Sequence, residues 1–252
     1  MKFENTRVCN FENSIRGARN PRNSWDRSDT IHEFITKKEF LKLDKSFQNA
    51  VILFEDKNTN IIEYINIGPN DLKLLTTLVK RGSSHRKFLR QIFVSVDITA
   101  PLYWWKEYDT YKVATVANST PSSHTLVSEP INLDMFELDF SGEDKEYLKF
   151  WINIVDIMED LRQKYNGTND KQYWRLMCKI MPNSYCQKRT CTLNYETLLN
   201  MCKKDCRSFH RFNEWSGVDD PSKPNFVSWV RTLPYAQELI FYDEKNDWKI
   251  II

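Results

Sequence analysis

The twenty residues from Phe93 to Lys112 constrain the architecture more than any other part of the chain. They begin with β-branched residues, pass through Pro101 and end in the aromatic run Leu102-Tyr-Trp-Trp-Lys-Glu-Tyr108. The stretch from Val94 to Thr99 predicts a strand. Proline breaks that strand, and the following run predicts a helix too apolar to face water. A strand feeding a buried helix requires a mixed architecture, and the rest of the chain predicts α/β (α+β) with helix dominant.

Ala50 to Glu55 and Ile61 to Ile67 read as two strands joined by the polar turn Asp-Lys-Asn-Thr-Asn, the pattern of a hairpin. After Gly68-Pro69, Asn70 is the expected cap of a helix over 70–81 that carries Leu72, Leu75, Leu78 and Val79 on one face and stops at Gly82. Leu148, Trp151, Val155 and Met158 recur at helical spacing before Gly167. Further helices are expected at 170–180, at 194–207 and around Phe226, Trp229, Val230 and Leu233. The Asn-, Ser- and Thr-rich stretch at 118–123 predicts a loop. No internal repeat is present, and one domain over 1–252 is expected, with 30–67 as an inserted hairpin region.

Charge and composition exclude several functions. Of the 252 residues, 36 are Lys or Arg and 34 are Asp or Glu, so the net charge of +2 gives no global field to draw duplex nucleic acid. No apolar run approaches the roughly 18 residues that would span a bilayer. The polar start at Lys2, Glu4, Asn5 and Arg7 predicts a cytoplasmic protein whose six cysteines are reduced. Phosphate-loop, Gly-x-Ser-x-Gly and His-Glu-x-x-His patterns are absent, which removes kinase and common hydrolase readings. Cys202, Cys206 and His210 share one predicted helix face, with Cys186 and Cys191 upstream. Without a tight Cys-x-x-Cys pair, core packing is the expected role of these cysteines, and no metal is expected. Asp97, Glu107 and Asp109 are expected to be solvated carboxylates. Tyr103, Trp104, Trp105, Tyr108 and Tyr111, interleaved with Lys106 and Lys112, read either as core or as a platform that stacks a ring beside cations.

The order His85, strand, Ala100-Pro101, then the helical segment to Lys112 resembles the flavin-dependent thymidylate synthases. A second block, Met181-Pro182 followed by Asn194-Tyr-Glu-Thr-Leu198, resembles that family's Leu-Pro and Asn-x-Arg-x-Leu, and Glu214 falls where the family has Ala-Gln-x-Glu. The two blocks cover about 70–125 and 175–215. The resemblance implies the family's fold with a mixed sheet, a homotetramer with sites shared between subunits, and FAD if the chain is an active enzyme converting dUMP to dTMP.

The same register shows what has changed. The family's Arg-Gln aligns with Lys106-Glu107, its Arg-His-Arg with Thr110-Tyr111-Lys112, and its loop Ser, Asn, Glu, Ser and Arg with Thr115, Ala117, Asn118, Thr120 and Ser122. Cys178 and Glu196 replace two further arginines, and Glu196 would repel phosphate where the family attracts it. The residues that remain as candidate ligand contacts are His85, Lys106, Tyr111, Lys112, Asn118, Ser119, Arg175, Arg189 and Asn194. Positioning is nearly all such an enzyme supplies, so the chemistry is expected to be lost before the fold. The leading expectation is a nucleotide-binding protein without catalysis. Abundant Lys and Asn suit a gene from an AT-rich phage, where the role would be to sequester nucleotides or nucleotide immune signals. The alternatives are an active synthase with a rebuilt site and a module that binds a protein partner.

Overall fold

A computed structural model describes residues 1–43, 50–111, 113–121, 126–138, 144–203 and 212–244. They form two compact units. One comprises Met1–Glu4, Asp97–Lys112 and Ala117–Thr190; the other comprises Asn5–Val96, Val113–Val116 and Cys191–Ile252. In chain order the larger elements are β1 (Lys2–Cys9), α1 (Phe11–Arg19), β2 (Ile31–Thr36), α2 (Lys37–Phe40), β3 (Val51–Asp56), β4 (Ile61–Asn66), α3 (Pro69–Lys80), β5 (Phe93–Pro101), α4 (Leu102–Tyr108) and β6 (Val116–Ser119). There follow α5 (Lys145–Thr168), α6 (Lys171–Ile180), β7 (Cys186–Asn194), α7 (Tyr195–Cys202), α8 (Asn213–Ser216), α9 (Phe226–Arg231) and α10 (Ala236–Leu239). The architecture is α+β with helix dominant, as the sequence predicts.

Strands β1, β5, β7 and β6 run side by side in that order. Alternation along β5 buries Ile98 and Ala100, after which Pro101 starts α4. The first backbone N–H groups of α4 have no partner within the helix, and Tyr185 O and Asn183 O accept from Leu102 N and Tyr103 N at 3.0 and 3.1 Å. Trp104, Trp105 and Tyr108 are buried and pack on one another with ring centroids 5.0–5.3 Å apart. Helices α5 and α6 cover Met158, Met177, Phe136 and Tyr185. Glu159 ties α5 to the segment before it, accepting from Ile131 N at 2.8 Å and from Arg162 Nε and Nη2 at 2.7 and 2.6 Å. The Arg162 hydrogen bonds hold its carboxyl down to about 2. The helix runs through Gly167 and stops where Asn169 turns left-handed at φ 54°.

In the second unit, β2, β4 and β3 form an antiparallel sheet in which Phe34 and Phe54 both oppose Glu63. The hairpin expected around 56–60 is β3 and β4. Phe11 of α1 packs edge-on to Tyr195 and Tyr235, and those phenols are satisfied at Pro234 O (2.7 Å) and Ile67 N (2.8 Å).

Helix α3 differs from expectation at its start. Pro69 is its first residue and Gly68 its cap position, while the capping oxygens come from Asp29, which accepts from Asn70 N and Asp71 N at 2.9 and 3.0 Å. Asp29 lies so close that a Cβ on residue 68 would sit 2.3 Å from its Cγ, which is why the position is glycine. Two other expectations also shift. Asn118 and Ser119 belong to β6 and not to a loop, because pairing beside β7 outweighs their turn propensity. Helix α7 ends at Cys202; the rest of the expected 194–207 helix falls mostly on residues outside those described.

Candidate functional site

The candidate residues divide between the two units. In the first unit, Lys106 is exposed on α4 and donates to the neutral amide of Asn183 at Oδ1, 2.8 Å away. Arg189 projects from β7 and is held on three sides. Its Nη1 reaches Asp109 Oδ1 and Oδ2 at 3.2 and 3.4 Å, its Nε donates to Gln187 Oε1 at 3.0 Å, and its guanidinium carbon lies 4.3 Å from the Trp105 ring centre. Gln187 in turn donates to Thr120 O at 2.8 Å, which joins the end of β6 to β7. Asn118 and Ser119 are exposed on β6, and Tyr111 is half-buried in the short turn after α4. Lys112 lies outside the described residues. Arg175 is exposed on α6, and no hydrogen bond or ion pair joins it to the Arg189 group.

The aromatic run is therefore core. Trp104, Trp105 and Tyr108 spend their faces on one another, and Trp105 Nε1 donates to Gln187 O at 2.9 Å. Rings packed this way leave Arg189 as the cation over Trp105, a place where a ligand ring would otherwise stack.

In the second unit, His85 is exposed in the turn after Gly82, and Asn194 is a helix cap whose Oδ1 accepts from Thr197 N at 2.9 Å and from Thr197 Oγ1 at 3.2 Å. The two segments are joined by a pair that sequence reasoning did not find. Arg86 Nε donates to both oxygens of Glu196 at 3.1 Å, and both side chains are about nine-tenths buried. Glu196 also sits in the first turn of α7, where the helix dipole favours an anion. It is thus a compensated charge, and the phosphate repulsion expected of it is offset by Arg86.

The other unexpected group is centred on Asp71, which is fully buried. It accepts from Arg19 Nε at 2.6 Å, Ser28 Oγ at 2.7 Å, Thr30 Oγ1 at 2.7 Å, and Asp29 N and Thr30 N at 3.1 Å. Burial pushes its carboxyl up, but the hydrogen bonds from Ser28, Thr30 and Arg19, with the Arg19 charge, outweigh it and hold the group below the ordinary carboxylate range. Among the described residues no group of three His, Cys, Asp or Glu side chains is placed to hold a metal; Cys206 and His210 lie outside them. Among them, too, no helix is long and apolar enough to cross a membrane.

The fold carrying these groups is that of the flavin-dependent thymidylate synthases. The flavin-dependent thymidylate synthase ThyX of Helicobacter pylori, complexed with FAD and dUMP, matches with a TM-score of 0.58 and 17% identity over 96% of this chain and 99% of its own. A second structure of the Helicobacter pylori protein with FAD and dUMP gives 0.57 and 16% over 96% and 98%. No family model and no curated protein sequence matches.

Proposed function

We propose that the chain binds a nucleotide-like ligand on a thymidylate synthase fold and does not make thymidylate. The observation that carries this reading is the match over nearly the whole chain to structures holding FAD and dUMP, combined with a changed set of charges. Where the family resemblance implies two phosphate-holding arginines, this chain has Cys178, whose thiol is pushed up by burial and stays neutral, and Glu196, locked to Arg86. The resemblance implies guanidinium donors for a flavin diphosphate at these two positions, and Cys178 and Glu196 do not supply them. A fold that keeps ligand-binding capacity without the chemistry suits sequestration of nucleotides or nucleotide signals in a phage setting.

Titration calorimetry against mononucleotides, cyclic nucleotides and flavins tests this reading. At least one nucleotide is expected to bind. Lys112→Ala is expected to weaken it by about 1.5–3 kcal/mol, the value of a charge-assisted bond, and by more than Lys106→Ala does. A purified protein with a flavin absorption band, or one that binds none of the panel, overturns it.

Homotetramer assembly belongs to the same proposal, though not through the aromatic helix, whose large rings are already buried within the chain. Tyr147, Phe150 and Ile157 on α5 and Leu176 and Ile180 on α6 are the exposed apolar side chains a partner subunit would cover. Light scattering is expected to report four copies; a monomer at micromolar concentration overturns the assembly.

A further inference from the structure

Four arginines fall within twelve residues of the second unit, Arg16, Arg19, Arg22 and Arg27, with Trp25 among them. Two cavities open on this segment. One of about 280 Å3 is lined by Arg16, Trp25 and His32, and one of about 750 Å3 by Arg22, Arg27 and Asn70; Arg19 lines both. The larger is within the range of about 300–1,000 Å3 usual for small-molecule clefts.

The four cations are not equivalent. Arg19 is buried and satisfied by Asp71 and by Ser24 O at 3.1 Å. Arg16, Arg22 and Arg27 are exposed and form no ion pair among the described residues. Glu12 and Asp26 are the acidic wall residues, and Glu12 is 3.4 Å from His32 Nδ1. The segment is also fixed. Arg19 grips Ser24, Asp71 takes up Ser28, Asp29 and Thr30, and the Trp25 indole donates to Asn20 Oδ1 at 2.8 Å. Arg16 lies over that ring, 5.3 Å from its centre, yet the indole remains 40% exposed.

Exposed guanidiniums gathered on a clamped segment raise the local positive potential, and a phosphate anion is the partner whose oxygens accept from their forked donors. An exposed, immobilised indole beside them offers a flat apolar face to a base. We infer that this arginine–tryptophan segment binds a nucleoside diphosphate across the two cavities that share Arg19, with Arg22 and Arg27 of the larger on the phosphates and Trp25 of the smaller against the base. The inference rests on none of the residues of the Lys106 and Arg189 group.

Calorimetry with ADP, inorganic pyrophosphate and adenosine tests it on the full chain. Wild type is expected to bind ADP more tightly than pyrophosphate, and adenosine weakest. Arg22→Ala with Arg27→Ala is expected to weaken ADP and pyrophosphate by at least about tenfold. Trp25→Leu is expected to weaken ADP alone. Thermal melts run alongside confirm that each variant folds. Wild-type-like ADP binding by the double arginine variant, or no ADP binding by wild type, overturns the site. Equal loss of ADP and pyrophosphate in Trp25→Leu overturns the role of the ring. If ADP binding falls only with Lys106→Ala and Arg189→Ala, the site is wrong while the nucleotide reading above survives.

Discussion

Asp71→Ala is expected to lower the unfolding free energy by about 3–5 kcal/mol, the cost of leaving a buried charge without its partner. The carboxylate gathers five donors from four residues, and its removal strands the Arg19 guanidinium inside the second unit. The segment 28–30 is then held to the start of α3 only by the Asp29 carboxylate, which accepts from the backbone N–H groups of residues 70 and 71. A urea titration measures the effect as a fall in midpoint with little change in slope. Replacing both members, Arg19→Leu with Asp71→Leu, is expected to cost less than Asp71→Ala alone, because no unpaired charge remains. The folded carboxyl titrates below its unfolded value of about 3.9. Its contribution is therefore fully present above that value and is lost as pH falls through the folded pKa, so the stability gap between wild type and Asp71→Ala should begin to narrow near pH 4 and go on narrowing through the folded pKa. A midpoint within experimental scatter of wild type at pH 7 would show that the network contributes nothing net.

The elements that sequence reasoning places correctly are those whose signal is local. The alternation of Val94, Val96, Ile98 and Ala100 and the spacing of Leu75 and Val79 each specify a buried face from a dozen residues. The features it misses join distant parts of the chain. Arg19 and Asp71 are 52 residues apart, Arg86 and Glu196 are 110 apart, and no periodicity connects such pairs. The start of α3 illustrates the difference. Asn70 has the right chemistry for a cap, yet Asp29 arrives from another segment and supplies both oxygens. Of the candidate ligand residues, Asn194 is singled out by its place in the family's Asn-x-Arg-x-Leu pattern, and the bond from Thr197 N shows its side chain serving as the cap of α7. The four arginines at 16, 19, 22 and 27 are a local excess of charge that sequence reasoning passed over. What the sequence could not show was that Arg19 alone among them is neutralised.

Glu196→Arg, which restores the residue implied by the family resemblance, is expected to destabilise the protein by about 3–5 kcal/mol and to gain no nucleotide affinity. The side chain at 196 does not face an empty phosphate site; it faces Arg86 Nε at 3.1 Å, with both groups about nine-tenths buried. An arginine there sets two guanidiniums against each other where water cannot screen them, and it replaces an anion with a cation in the first turn of α7. Pairing the change with Arg86→Leu removes the opposing charge and is expected to recover most of the lost stability. In that double variant the new guanidinium is released from its repulsion, so any gain in nucleotide affinity belongs there and not in the single variant. Chemical denaturation and calorimetry on the two variants separate folding from binding. A Glu196→Arg protein as stable as wild type would mean that Arg86 and Glu196 are not a coupled pair. Such coupling explains why one substitution at 196 cannot supply the charge pattern the resemblance implies: Glu196 and Arg86 act as one electrostatic unit within the second unit.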